Sequence, residues 1–227
     1  MSTYVILSEK KWNQSIIETL QKETNSINWI LINQKKDFNL GFLKEHNVTK
    51  IFIPHWSYII SEEIFTQYEC VVFHMTDLPY GRGGSPLQNL IVRGHKETKI
   101  SAIRVVKELD AGEIYLKENL SLSGTAEEIF IRGNKIIEQM ILSIVLNNPE
   151  PKTQKGEIVK FKRRKPEDGN IENVENLEIV YDYIRMLDAD GYPNAFIETK
   201  GLKLEFSKAQ LNSNKETLTA YVRIVKK

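Results

Sequence analysis

The chain predicts an α/β fold, a mostly parallel sheet wrapped by helices, followed by a small C-terminal domain of one helix and antiparallel strands. Three observations predict it. Short apolar runs alternate with helical periodicity through the first half, the mark of a parallel sheet with helical crossovers. A polar stretch punctuated by proline interrupts that pattern from Asn147 to Glu172. Beyond it the periodicity changes to one helix and then to strand-like alternation. With 227 residues and about 150 residues per domain, one larger and one smaller domain are expected, at 1–165 and 166–227.

Each element has its own signal. Tyr4–Leu7, Trp29–Ile32, Lys50–Ile53 and Cys70–Phe73 read as buried strands, because both faces of a parallel sheet are covered and its strands are nearly continuously apolar. Between them, Lys11–Lys22 carries Trp12, Ile16, Ile17 and Leu20 at helical spacing, and Asn39–His46 reads as a second helix. Lys99–Lys107 and Glu113–Glu118 follow as strands. Thr125 then caps a helix, Glu128 completes a capping box, and Phe130, Ile137, Met140, Ile141 and Ile144 form its apolar stripe. Pro149, Pro151 and Pro166 mark a linker holding a basic cluster, Lys160, Lys162, Arg163, Arg164 and Lys165. Val174, Leu177, Tyr181 and Ile184 define the last helix. Ala195–Phe206 and Thr217–Val225 alternate in strand fashion, with turn signals at Lys200-Gly201 and Ser213-Asn214.

Composition narrows the function. Lys and Arg number 31 against 30 Asp and Glu, a net charge of +1, which argues against a broad nucleic-acid surface while leaving room for a local basic patch. The single cysteine, Cys70, cannot form an internal disulfide and suits a reducing, cytoplasmic setting. The apolar run after the N-terminus is too short for a signal peptide, and no run is long enough to span a membrane. His46, His55, His74 and His95 are scattered, with no CxxC or HExxH, so no metal is expected.

The chemistry concentrates in Phe73–Pro86, directly after the fourth strand, where open parallel sheets bind ligands. Ser85 and Pro86 suit the N-cap and first position of a helix that Gly94 ends. Arg82 and three nearby glycines before that helix start would suit an anion or a polarised carbonyl. A second acidic turn, Glu108–Glu113, separates the fifth and sixth strands. A carboxylate there could orient His74 for proton transfer.

These residues resemble the formyltransferase family that uses 10-formyltetrahydrofolate. His74 with Thr76–Pro79 resembles its His-x-Ser-Leu-Leu-Pro loop, Arg82–Gln88 its Arg-Gly-x-x-Pro-x-Gln continuation, and Leu109–Gly112 its Leu-Asp-x-Gly turn. The resemblance spans roughly Tyr4 to Val145. It implies a Rossmann-like catalytic domain, 10-formyltetrahydrofolate as donor, and transfer of the formyl group to a primary amine. It further implies His74 and Asp110 as catalytic residues, and backbone contacts to the pterin from Tyr58 to Ile60 and from Glu108, Leu109 and Asp110. Met75, Thr76, Tyr80, Arg82, Gly83 and Gln88 would hold the acceptor.

The form of the His74–Pro86 loop is most similar to members acting on nucleotide-linked amino sugars, so the expected acceptor is a small UDP-activated amino sugar of the pseudaminic-acid kind. Arg82, the Ser85-Pro86 helix start, Arg163 and Arg164 would answer its diphosphate. The near-neutral charge and short tail argue against a tRNA acceptor and a nucleic-acid partner. The alternatives are a methionyl-tRNA or carrier-bound aminoacyl formyltransferase, or a folate-binding module without turnover. That last reading comes from one departure: where the family has an oxyanion-binding Asn two residues before the histidine, this chain has Val72. Losing such a donor costs ~10²–10³ in rate, which makes Gln88 and Asn89 candidate substitutes.

Overall fold

The computed structural model describes residues 2–10 and 14–227, and of Gln14 the backbone only. The elements in chain order are β1 (Ser2–Ser8), α1 (Gln14–Glu23), β2 (Ile27–Ile32), α2 (Leu40–Glu45), β3 (Val48–His55), α3 (Glu62–Phe65), β4 (Glu69–His74), β5 (Tyr80–Gly83), α4 (Pro86–Val92), β6 (Glu97–Arg104), β7 (Ile114–Ser121), α5 (Ala126–Asn147), β8 (Val159–Phe161), α6 (Leu177–Leu187), β9 (Ala195–Glu198), β10 (Leu202–Leu211) and β11 (Leu218–Lys226). The helix expected from Lys11 is described only from Gln14, so Lys11 and Trp12 lie outside the described residues.

The chain forms two compact units, and both draw on discontinuous segments. The first holds 1–82, 99–120 and 131–160; the second holds 83–98, 121–130 and 161–227. The main sheet has six strands in the order β2-β1-β3-β4-β6-β7. β1 to β4 run parallel, and β6 joins β4 antiparallel, so the expected mostly parallel α/β fold holds. Strand periodicity sorts the core. Val5 and Leu7 point to one side and pack with Ile51, Ile53, Ile60, Ile64 and Cys70, whereas Tyr4 meets Trp29 on the other, ring centroids 5.4 Å apart. Covering both faces is what makes these strands apolar throughout.

In the second unit, β9, β10 and β11 form an antiparallel sheet in the order β11-β10-β9, and α6 packs on β10. Asn176 caps α6 by accepting from the amides of Glu178 and Ile179. The capping box of α5 forms as its sequence implies: the Glu128 amide donates to Thr125 Oγ1, and Glu128 Oε2 accepts from the Thr125 amide at 2.8 Å. Three short elements were unmarked in the sequence, α3, β5 and β8. β5 and β8 pair with each other, which gives part of the expected linker a strand conformation. Among the described residues, no helix is long and apolar enough to cross a membrane.

Candidate active site

The site is built at the carboxyl end of β4, within the first unit. β4 and β6 set His74 opposite Ser101. The fully buried Ser101 hydroxyl donates to the Thr76 carbonyl at 2.7 Å and accepts from the Leu78 amide at 3.3 Å, fastening the chain that leaves His74. Farther along, Asp77 pairs with Lys117, and with Lys99 at 3.3 Å. Burial works to raise the Asp77 carboxyl, but the two ammonium groups outweigh it and hold it below the ordinary carboxylate range.

His74 is buried and faces an acceptor at each ring nitrogen. Nδ1 lies 3.6 Å from Asp110 Oδ2, and Nε2 is 2.8 Å from the Gly81 carbonyl. A carbonyl only accepts, so Nε2 carries a proton in this arrangement. Asp110 sits in a left-handed turn at φ 54°. That turn must close tightly: a Cβ on Gly112 would fall 1.7 Å from the Arg104 carbonyl, because the Arg104 amide reaches the Glu113 carbonyl just beside it. The Asp-x-Gly spacing is therefore a steric requirement of the β6–β7 connection.

Arg82 is also buried. Its Nε and Nη2 donate to Gln154 Oε1 at 3.1 and 2.8 Å, and its Nη1 lies 3.4 Å from Glu108 Oε1. The Gln154 amide in turn donates to the Asp110 and Gly112 carbonyls, both at 2.8 Å. The guanidinium is thus committed to protein partners. Ser101 and Gln154 carried no signal in the sequence; one lies inside an apolar strand and the other in what reads as linker.

The remaining expected residues distribute as follows. Val105 and Trp56 pack against the core cluster that includes Ile60, and Lys107 pairs with Glu62 at 3.7 Å, so the Tyr58–Ile60 and Glu108–Asp110 segments rest on one support. Each presents an exposed apolar side chain, Ile59 at 88% and Leu109 at 60% of full exposure, while Tyr58 lies under Lys35. Thr76 is fully buried with no hydrogen-bond partner for its hydroxyl among the described residues, and buried Met75 would touch a Cβ placed on Gly133. Tyr80 begins β5, its amide donating to the Asp77 carbonyl. Val72 is half-buried against the core cluster and offers no polar group.

Three expectations fall in the second unit. A Cβ on Gly83 would meet the Phe161 carbonyl at 2.4 Å, and one on Gly84 would meet the Arg163 Cβ at 2.5 Å, so these glycines permit close strand approach. Ser85 does not cap α4. It adopts φ 51°, and its hydroxyl accepts from the Arg164 amide at 3.0 Å instead. Gln88 donates to the Met186 carbonyl, and the Asn89 amide donates to the carbonyls of Gly84, Ser85 and Lys162. The Asn89 amide is thus committed to backbone, whereas Gln88 spends one of its two N–H donors on the Met186 carbonyl. Among the described residues, no group of three or more His, Cys, Asp or Glu is arranged to hold a metal ion.

A histidine–carboxylate pair stands on this sheet beside a turn built around Gly112, and similarity along the whole chain gives the class: the chain belongs to the formyltransferase family. Over its whole length it is similar to the solved methionyl-tRNA formyltransferase from Clostridium thermocellum, at 47% identity, TM-score 0.95 and full coverage of both chains. It is 28% identical over 194 residues to the methionyl-tRNA formyltransferase of Thermotoga neapolitana, covering 82% of this chain and 61% of that one. Residues 166–225 match the family described as the C-terminal domain of methionyl-tRNA formyltransferase. The chain spans between 57% and 61% of the length of the first curated relatives it matches. The family's formyl donor is 10-formyltetrahydrofolate.

These findings correct the expected acceptor and partner. A solved sugar N-formyltransferase from Shewanella covers 97% of this chain and 96% of its own, with a TM-score of 0.69, but only 16% identity, so the likeness is one of fold. The similarity that extends to sequence is with methionyl-tRNA formyltransferases, which displaces the nucleotide sugar and reopens nucleic acid as a partner. The physical reason is that net charge averages over the whole chain. The run Lys160 to Lys165 holds five cations, of which only Arg164 is not exposed.

Proposed function

We propose that this chain transfers a formyl group from 10-formyltetrahydrofolate to the α-amine of an aminoacyl-tRNA, methionyl-tRNA being the acceptor. The observation that carries the reading is the buried His74–Asp110 pair at the end of β4, in a chain similar throughout to a methionyl-tRNA formyltransferase.

The donor supplies the formyl group as a co-substrate consumed at each turnover. The acceptor amine attacks the formyl carbon with its lone pair, so it must be unprotonated, and α-amines titrate near ~8. The new C–N bond forms, the bond to the donor nitrogen breaks, and the proton lost by the amine ends on that departing nitrogen. His74, oriented by Asp110, carries a proton on Nε2 and keeps it while donating a hydrogen bond to the formyl oxygen as charge develops there, once Nε2 exchanges the Gly81 carbonyl for substrate. With Val72 apolar and the Asn89 amide committed to backbone, His74 takes the part of donor to the formyl oxygen. Tyr58–Ile60 and Glu108–Asp110, sharing one support, would seat the pterin by their backbone groups.

The test is incubation of the protein with 10-formyltetrahydrofolate and initiator methionyl-tRNA, methionyl-adenosine or free methionine, with mass-spectrometric detection of the formylated product. Formyl-methionyl-tRNA is expected as the preferred product. Equal rates with free methionine and with the tRNA would contradict the assignment.

A further inference from the structure

We propose that Gln154 is a positioning residue for His74, because one side-chain amide holds both segments that face the imidazole. On the Nδ1 side is Asp110. Its backbone is left-handed at φ 54°, a conformation that residues other than glycine adopt rarely. Gln154 Nε2 donates to the Asp110 carbonyl and to that of Gly112, both at 2.8 Å, bracketing the turn. On the Nε2 side is the carbonyl of Gly81, the residue before Arg82, and the Arg82 side chain is clasped by Gln154 Oε1 at 3.1 and 2.8 Å.

A glutamine amide has two N–H donors and one carbonyl with two lone pairs. All of that capacity is spent here, on two groups in the Asp110 turn and two on Arg82. Gln154 is itself anchored: two residues earlier, Lys152 and Ile114 exchange backbone hydrogen bonds at 2.8 and 2.9 Å. Asp110 Oδ2 stands 3.6 Å from the ring, so a small rotation of the turn brings it into hydrogen-bond distance or takes it out. Gln154 therefore sets that distance without touching substrate.

The inference rests on the formyl-transfer reading only where activity is measured, so the deciding readout is spectroscopic. NMR of the histidine rings in the full chain compares wild type with Gln154→Ala, Gln154→Glu and Asp110→Asn. The glutamate variant keeps an acceptor for Arg82 but loses both donations to the turn. In both Gln154 variants the His74 ring Cε1–H resonance is expected to move, as it does in Asp110→Asn, while those of His46 and His95 stay. In parallel, kcat for formyl transfer should fall by about 10²-fold, the scale expected of a misplaced catalytic group, with donor KM changed little. Gln154→Ala should also cost less when Asp110→Asn is already present. A stationary His74 resonance in both variants overturns the proposal, even if activity falls. So does failure of both variants to fold, which would make Gln154 a stability residue. Absence of wild-type formyl transfer together with a displaced resonance would refute the functional reading and leave the positioning role standing.

Discussion

At the level of single residues, the imidazole of His74 is defined by what faces it. Asp110→Asn keeps the shape of the side chain and removes its charge, and His74→Ala removes the hydrogen-bond donor proposed for the formyl oxygen. Each is expected to lower kcat by ~10²–10⁴ with the urea midpoint little changed, measured by steady-state formyl transfer beside equilibrium unfolding. Elsewhere burial sets behaviour. Burial and the neighbouring Glu69 push the Cys70 thiol up to about 12, so native protein should resist iodoacetamide at pH 8 and react once denatured. Burial and then Lys10 hold His55 down at about 4. The unfolded imidazole binds a proton near ~6.5 and the folded one does not, so the stability this group contributes is present above that pH and is lost as pH falls toward 4. His55→Gln should flatten that acid limb of a urea-midpoint profile. His74 and Asp110 could be read from the sequence because their motifs are local. Ser101 and Gln154 could not, because their partners lie 25 and more than 40 positions away in the chain.

Among the elements, the parallel strands declared themselves through continuous apolar runs, and α5 through its capping box. The segment around α4 did not. Ser-Pro is good N-cap chemistry, but Ser85 is drawn into a left-handed conformation and its hydroxyl accepts from the Arg164 amide, a partner 79 positions away. β5 and β8 stayed hidden for a similar reason. They are four and three residues long, and Gly83 of β5 reads as loop while permitting close approach to Phe161 of β8. The β6–β7 connection gives the sharpest expectation at this scale. Gly112→Ala drives a methyl group into the Arg104 carbonyl and should destabilise by at least ~1–3 kcal/mol, seen as a lower urea midpoint. Because the same turn carries Asp110, kcat should fall as well. A variant with wild-type stability would mean that the turn relaxes freely.

For the molecule as a whole, a net charge of +1 pointed away from nucleic acid, yet recognition depends on where charges sit. The exposed cations Lys160, Lys162, Arg163 and Lys165 occupy one short run that the average conceals. Replacing Lys162, Arg163 and Lys165 together by alanine should raise KM for methionyl-tRNA, leave kcat near its original value and flatten the dependence of log KM on log salt, since each phosphate that is no longer neutralised lowers that slope by just under ~1. The central claim is that His74, aimed by Asp110, assists direct transfer of the formyl group from 10-formyltetrahydrofolate to an amine on tRNA. The most direct measurement is single-turnover transfer from radiolabelled 10-formyltetrahydrofolate to initiator methionyl-tRNA at saturating enzyme, for wild type and Asp110→Asn. Rapid labelling of the tRNA by wild type, rising with pH through neutrality and slowed at least ~10²-fold in the variant, is the predicted result. Equal rates for the two proteins, or no labelled tRNA from folded wild type, would contradict it.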